Sequence, residues 1–515
     1  MKKRYLLILL ILITIGGTTI LLIQNRDDLT ENSNSEIVVI EHFPIDSVMA
    51  DSLLVIDDIE RINSDTTFKF QLRIRNGHVT KGKLEDYLTK TDYGYILNIK
   101  NNSPVSTPTI IETKIYVPGG FGSKQYYAFD YLNGELKWAI NLDDDGPSPA
   151  VQRDSLLIFN TESCTIFAIN RFTGEMKWSY WLSDPLLSTP LIVNDYVYTS
   201  YPNTTLYVDT ALTSKYKKIK PTNPFVCIEA STGKIKWQKW LDGDILVTPV
   251  SDGEHIFFTT FPGTVYKLNA ITGEIISSIA LNATSPPSIA DGKVFVTKRN
   301  DSNGVVNESI AILNSQKLEF IKEYNTVEAL YLDYTIQSKS SLKSISQKLD
   351  ANNGFTNGAP ITSGWKLASK NIGQSNVSSL QLFQPSTVSF INGRAYNLMG
   401  NTIYCTDPLS EEVIWKYEID GDLKTIGGTL ATTPIFSKSC LITVTVNGEL
   451  IVLNLSDGKK ILSKSLNETV RTSPIMKEGK IFVPTTSGKL FCVDTKNIAL
   501  DGWTMFMKNN EHQIN

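Results

Sequence analysis

Tyr127-Ala128-Phe129-Asp130-Tyr131-Leu132-Asn133-Gly134-Glu135-Leu136-Lys137-Trp138 is followed forty residues later by Phe167-Ala168-Ile169-Asn170-Arg171-Phe172-Thr173-Gly174-Glu175-Met176-Lys177-Trp178. The pattern returns at Val226–Trp237 with Gly233, and at Tyr266–Glu274 with Gly273. Weaker copies run through Tyr404–Asp407 with Trp415, Ile451–Asn454 with Gly458, and Phe491–Asp494 with Trp503; Ile310–Asn314 is a decayed copy. A second mark lies upstream of the copies: Ser106-Thr107-Pro108, Ser148-Pro149, Ser188-Thr189-Pro190, Val247-Thr248-Pro249, Ser285-Pro286, Thr433-Pro434 and Ser473-Pro474, with Gln384-Pro385-Ser386 a poor eighth. Short turns such as Asp291-Gly292 then lead into alternating runs such as Lys480–Val483. One unit is therefore four short strands, a to d, in about 40 residues.

Each recurring residue has a physical reason to recur. Glycine supplies the left-handed conformation that a tight c–d turn needs. Tryptophan (Trp138, Trp178, Trp237, Trp415, Trp503) at the start of strand d is large enough to pack against the neighbouring unit. Proline lacks an N–H and suits the start of an innermost strand. A four-stranded unit at this period predicts an all-β fold, an antiparallel β-propeller of about eight blades over residues 95–507. A two-sheet sandwich would not repeat one motif around the chain.

The repeats resemble those of pyrroloquinoline-quinone dehydrogenases and their non-catalytic relatives, which include the propeller lipoprotein of the bacterial outer-membrane protein assembly machinery. The motif Ala-x-Asp-x-x-Thr-Gly-x-x-x-Trp, matched at Ala128–Trp138, Ala168–Trp178 and Cys227–Trp237, carries the likeness. For an active quinoprotein the resemblance implies two adjacent cysteines above the cofactor, a calcium site and an aspartate base. The five cysteines, Cys164, Cys227, Cys405, Cys440 and Cys492, are not adjacent, and three of them fill the motif slot of Ala128 and Ala168. They read as small core residues. His42, His78, His255 and His512 lack metal-ligand spacing, and no Cys-x-x-Cys-His, P-loop or Gly-x-Ser-x-Gly occurs. The expectation is a protein that is not an enzyme and holds no cofactor or metal. A net charge of -4 over 515 residues argues against nucleic acid.

Strand d marks outnumber the other marks by one, so either Tyr95–Ile99 or Trp503–Met507 is surplus. An N-terminal strand completing the last blade would account for it. Residues 25–94 form a linker with one short β segment (Phe68, Phe70, Leu72 and Ile74 alternate), and 508–515 form a C-terminal tail. Before them, Lys2-Lys3-Arg4 precedes an apolar run from Tyr5 to Ile23. About 19 residues at ~1.5 Å each just cover a ~30 Å hydrocarbon core. Residues 1–24 are expected to be an uncleaved transmembrane signal anchor rather than a cleaved signal peptide, because no Ala-x-Ala-like site follows. The propeller is then single-pass and on the periplasmic or extracellular side.

Insertions at about 203–224 and 322–383 break the period, and Leu342, Ile345 and Leu349 suggest a short amphipathic helix in the second. In a propeller the b–c and d–a connections share one end, so both insertions decorate it. The d–a loops are acidic: Asp143, Asp144, Asp145, Asp184, Asp242, Asp244, Asp420 and Asp422. These carboxylates are candidates for a cation or a basic protein partner, against the plainer reading of Asp-Gly turn chemistry on a solvated rim. Replacement of Asp143, Asp144, Asp242 and Asp422 by Asn is expected to slow association with such a partner and to leave stability nearly unchanged. The function expected is a membrane-tethered interaction scaffold in cell-envelope or outer-membrane protein assembly. The alternatives are a ligand-sensing ectodomain and an atypical quinoprotein oxidoreductase.

Overall fold

The computed structural model describes strands within residues 9–24, Asn63, and residues 77–512 apart from 101–102, 121, 162–164, 182–188, 201–222, 244, 246, 261–262, 303–304, 329–386, 422–429 and 510–511. The chain divides into two units, Met1–Ile45 and Asp46–Asn515.

In the first unit Leu9–Ile15 pairs antiparallel with Thr18–Gln24. The transmembrane helix expected over residues 1–24 is not shown: the described residues of that run are the two strands of this hairpin. Both strands are rich in Ile and Thr, which favour pleated backbone, and only Gly16-Gly17 separates them. Among the described residues no helix is long and apolar enough to cross a membrane.

The second unit is an all-β propeller of eight antiparallel blades. Blade 1 has Thr109–Ile111, Lys114–Pro118, Gln125–Asp130 and Leu136–Leu142 as strands a to d. Blades 2 to 7 repeat this order, ending with strand d at Met176–Trp181, Ile235–Leu241, Ile275–Ala280, Phe320–Glu328, Val413–Glu418 and Lys460–Ser465. Blade 8 takes strands a to c from Ile475–Lys477, Lys480–Pro484 and Lys489–Asp494, and strand d from Gly94–Asn98 near the start of the chain. Tyr95, not Trp503, is thus the closing residue, and Trp503 is the surplus mark. The edge of Phe491 and Cys492 is already paired with Ile96 and Tyr95, so no place is left for a C-terminal strand d.

The core lies between blades. Tyr116, Tyr126 and Ile140 of blade 1 pack with Leu157, Phe159 and Phe167 of blade 2, and comparable clusters join other neighbours. Tryptophan docking has one geometry throughout. Trp138 Nε1 donates to Arg171 O at 3.1 Å, Trp178 to Ala230 O at 2.7 Å, Trp237 to Ala270 O at 3.1 Å and Trp415 to Leu455 O at 3.1 Å. Each indole lies over the glycine of the following blade, where an added Cβ would stand 3.4 Å or less from the ring at Gly174, Gly233, Gly273 and Gly458. At the closure, the Tyr95 hydroxyl donates to Tyr131 O at 2.6 Å, and Gly134 sits against Tyr95 and Leu88.

The described residues before the closing strand contact blades 3, 2, 1 and 8 in turn. Asn63 exchanges two hydrogen bonds with Trp240 of blade 3 (2.8 and 3.0 Å), and Gly77 N donates to Ser179 Oγ of blade 2 at 2.7 Å. Val79–Lys81 adds a fifth strand to blade 1 and Leu88–Thr91 a fifth strand to blade 8. This strap covers strand d of blades that would otherwise leave an open edge. The alternation at Phe68–Ile74 lies outside the described residues, as does the suggested helix at 342–349.

Candidate interaction face and the axial channel

Antiparallel alternation brings the d–a loop of each blade beside the b–c turn of the next. Blade 5 differs from its neighbours at this end: its strands b and c, Lys293–Ser302 and Val305–Asn314, are ten residues each, whereas those of blade 4 are five and six. The extra length projects at the end from which residues 201–222 and 329–386 leave the ring, themselves outside the described residues. Strand d of blade 5 continues to Glu328, so the second insertion begins later than the expected residue 322.

The acidic residues divide into two kinds. Asp143 and Asp145 are half-buried and Asp420 is exposed. Asp144 is only 5% exposed. Its Oδ2 accepts from Thr161 Oγ1 at 3.0 Å and from Thr165 Oγ1, and the Asp145 N–H donates to Oδ1 at 3.0 Å. Both threonines belong to the b–c turn of blade 2, so Asp144 ties blade 1 to blade 2. Asp242 repeats the tie from blade 3 to blade 4 through Thr264 Oγ1 at 2.6 Å. Burial pushes both carboxyls above their ordinary values, and the threonine hydroxyls only partly offset it. These two aspartates are inter-blade braces rather than presented charges. Asp184, Asp244 and Asp422 lie outside the described residues.

Sequence reading missed Glu468, which makes the same tie from blade 7 to blade 8 through Ser487 Oγ at 2.6 Å and Lys489 Nζ at 2.5 Å. Burial raises its pKa, but the lysine and serine outweigh this and hold the carboxyl below its ordinary value. A carboxylate one to three residues past strand d, facing Thr or Lys in the next b–c turn, is the signal that would have found it.

The innermost strands carry a collar of hydroxyls, which accounts for the Ser/Thr-Pro mark. Thr107 Oγ1 donates to Ser473 O at 3.0 Å, Ser473 Oγ to Thr433 O at 2.9 Å and Thr248 Oγ1 to Thr189 O at 3.0 Å, each reaching the neighbouring blade. Inside this collar runs the C-terminal segment. Gly502 bridges to Ser437, Met476 N donates to Trp503 O at 2.7 Å, and Ile110 N to Thr504 O at 2.6 Å. Trp503 packs on Phe436 with ring centroids 5.7 Å apart. The segment ends across the ring at blade 4, where His512 Nδ1 lies 2.6 Å from Thr248 Oγ1 and 3.0 Å from Pro249 O. His512 is 1% exposed, and burial lowers its pKa to about 4. The residues expected as a C-terminal tail, 508–515, therefore include one that is buried inside the ring.

The sequence matches the model of a protein family described as outer membrane protein assembly factor BamB over residues 122–215, 200–276, 226–315 and 399–507, together more than half the chain. The chain belongs to that PQQ-like propeller family. A tetrathionate hydrolase of Acidithiobacillus ferrooxidans is 19% identical over 407 residues, 74% of this chain and 78% of that protein. The BamB of Moranella endobia is 21% identical over 209 residues, covering 38% of this chain and 48% of its own length, so the match spans about half of that relative. Among solved structures, Saccharomyces cerevisiae Sqt1 shares the fold at 10% identity over 77% of this chain and 98% of its own, with a TM-score of 0.53.

Within this BamB-family ring a quinone cofactor does not fit. Cys227, Cys405, Cys440 and Cys492 are free, buried and distributed over four blades, and the axis is filled by Trp503–Met507. Burial pushes the Cys227 and Cys492 thiols up to about 12, which makes them inert packing groups. Among the described residues no three His, Cys, Asp or Glu side chains converge as a metal site.

Proposed function

We propose that the protein is a non-enzymatic interaction scaffold of the cell envelope, with its partner at the d–a/b–c end. Membership of the BamB family supports a protein-binding ring. The observation that carries the choice of end is the ten-residue hairpin of blade 5, rising where both long insertions leave the chain. Asp143, Asp145 and Asp420 remain there as accessible acids, suited to a basic partner whose association is screened by salt over ~8–10 Å. The tether in this proposal is supported by the sequence alone, Lys2–Arg4 followed by the apolar run to Ile23, a charge order that favours a ring outside the cytoplasm. The opposite end offers single apolar tips, Leu132, Ile271 and Leu409, on otherwise tight turns.

The experiment is photo-crosslinking in intact cells. A crosslinking residue at Asp145 or Asp420 is expected to capture a partner protein from outside the cytoplasmic membrane, and one at Leu132 or Leu409 is not. Capture from the Leu132 and Leu409 positions alone overturns the assignment of the face. A second reading is favoured by the coverage of the tetrathionate hydrolase, which exceeds that of the BamB relative. It predicts turnover of tetrathionate by the purified ring, and the scaffold reading predicts none.

A further inference from the structure

A closed propeller leaves the inner edge of every strand a facing the axis, with unpaired N–H and C=O groups. In this chain the N-terminal strand occupies the place where the C-terminus would end. The last residues are thus free to turn inward, and they cross the ring. Gly502 pairs at the a–b turn of blade 7, and Trp503 and Thr504 accept from blades 8 and 1. His512 is seated at the start of strand a in blade 4, the opposite wall and the opposite end. A small residual cavity beside the segment is lined by Thr107, Val247, Thr387, Thr433 and Ser473, from five blades, and closed by Trp503 and Met505.

The contacts are those of a bound peptide rather than of a blade. Backbone carbonyls meet inner-edge amides, the addition mode by which extended peptides dock on sheet edges. Side chains Trp503, Met505, Phe506 and Met507 are each 8% exposed or less, against Ile498 at 80% just before the segment enters. Lys508 and Glu511 are the charged residues in the sequence of this stretch; Lys508 is half-buried, and burial lowers its pKa. Among the described residues the imidazole meets Thr248 and Pro249 of blade 4 and, within its own segment, the Phe506 ring at 6.0 Å; none of these ionises.

We infer that the axial channel is a peptide-binding site for an extended segment rich in Trp, Met and Phe, occupied in cis by the chain's own Gly502–Asn509 and His512. Tethering keeps the site full, because a linked ligand acts at an effective concentration on the order of mM. A peptide of the same chemistry binds only when the resident segment is displaced. This site is separate from the proposed partner face and stands whether or not that face binds anything.

The test keeps folding intact by cutting after folding. A site-specific protease sequence is inserted between Ile498 and Ala499, at an exposed turn, and the folded full-length protein is cleaved. The fragment from Ala499 to Asn515 is expected to co-elute with the ring at neutral pH in a 1:1 ratio by mass spectrometry. W503A with F506A is expected to lose it in the same run. A synthetic peptide of residues 499–515 should bind the emptied ring saturably, a scrambled peptide should not, and the uncleaved chain should bind neither. Elution of the fragment apart from the ring at neutral pH, or equal binding of the peptide to cleaved and uncleaved protein, overturns the inference. Hydrogen exchange of the unmodified chain is the independent readout if the insertion disturbs folding. Ile110 and Met476 amides should be protected, and exchange at the rate of open edge amides would also overturn it.

Discussion

At the scale of single residues, the d–a aspartates separate by what faces them. Asp143 and Asp420 meet solvent, whereas Asp144 meets two threonine hydroxyls in the neighbouring blade. From sequence the three look alike, because the partner of Asp144 lies 17 and 21 residues downstream across a blade boundary and carries no charge. The pKa of Asp144 is raised in the fold, so the folded state favours its protonated form. Its contribution to stability is therefore full below the ordinary carboxylate pKa and lost as pH rises through the raised value. Asp144→Asn, which mimics the neutral form, is expected to melt no lower than the parent at pH 7. Asp144→Ala leaves Thr165 Oγ1 without its acceptor and should lose about 1–3 kcal/mol. Thermal melts of both variants between pH 3 and 8 check this, and an Asn variant destabilised as much as the Ala variant at pH 7 would refute the neutral-brace reading.

At the scale of the blade, the motif is legible because it solves one packing problem repeatedly. The slot of Ala128, Ala168, Cys227 and Cys405 pairs directly with the docking Trp, and the register shifts immediately after it. The same bulge falls at Lys267/Leu268, Ile312/Leu313 and Val452/Leu453 in blades without the Trp. Blade 8 has none between Phe491–Val493 and Gly94–Ile96, since no c–d turn connects those strands. The bulge thus belongs to the turn, and the glycine after it is what the preceding blade's indole rests on. At Gly273 φ is +68°, and an added Cβ would stand 2.5 Å from the Trp237 ring. Gly273→Ala is expected to cost ~2–4 kcal/mol, combining left-handed strain with overpacking. Gly393→Ala, at φ +72° with nothing within 4 Å of the added Cβ, should cost only the strain. Comparable losses in urea unfolding at the two positions would show that the indole contact contributes nothing.

At the scale of the molecule, closure is where sequence reading went furthest and then stopped. Counting strand d marks shows one too many and leaves two candidates, Tyr95 and Trp503, with an N-terminal strand in the last blade as one account of the surplus. What decides between them is an edge: strand c of blade 8 can accept one partner, and Gly94–Asn98 reaches it with Leu88–Thr91 behind it and Val79–Lys81 on the adjoining blade. The strap has no repeat to betray it, since each contact differs: Asn63 uses its side-chain amide, Gly77 one backbone N–H, and the two short strands full pairing. Removal of residues 1–62 should leave strand d of blade 8 in place and lower the melting temperature little, because Asn63 and all later contacts persist. Removal of residues 1–99 should open the ring between blades 8 and 1: the Tyr95–Tyr131 bond goes, Gly134 loses its cover, and the buried residues Ile475, Phe482 and Leu490 lose packing partners. The expected signature is a broadened, lower thermal transition, with fast hydrogen exchange first in strand c of blade 8 and strand a of blade 1. Tyr95→Phe isolates the hydrogen bond and should cost about 1 kcal/mol without broadening the transition. If the chain beginning at residue 100 unfolds as sharply and at the same temperature as the intact protein, the ring is held closed by something other than its N-terminal strand.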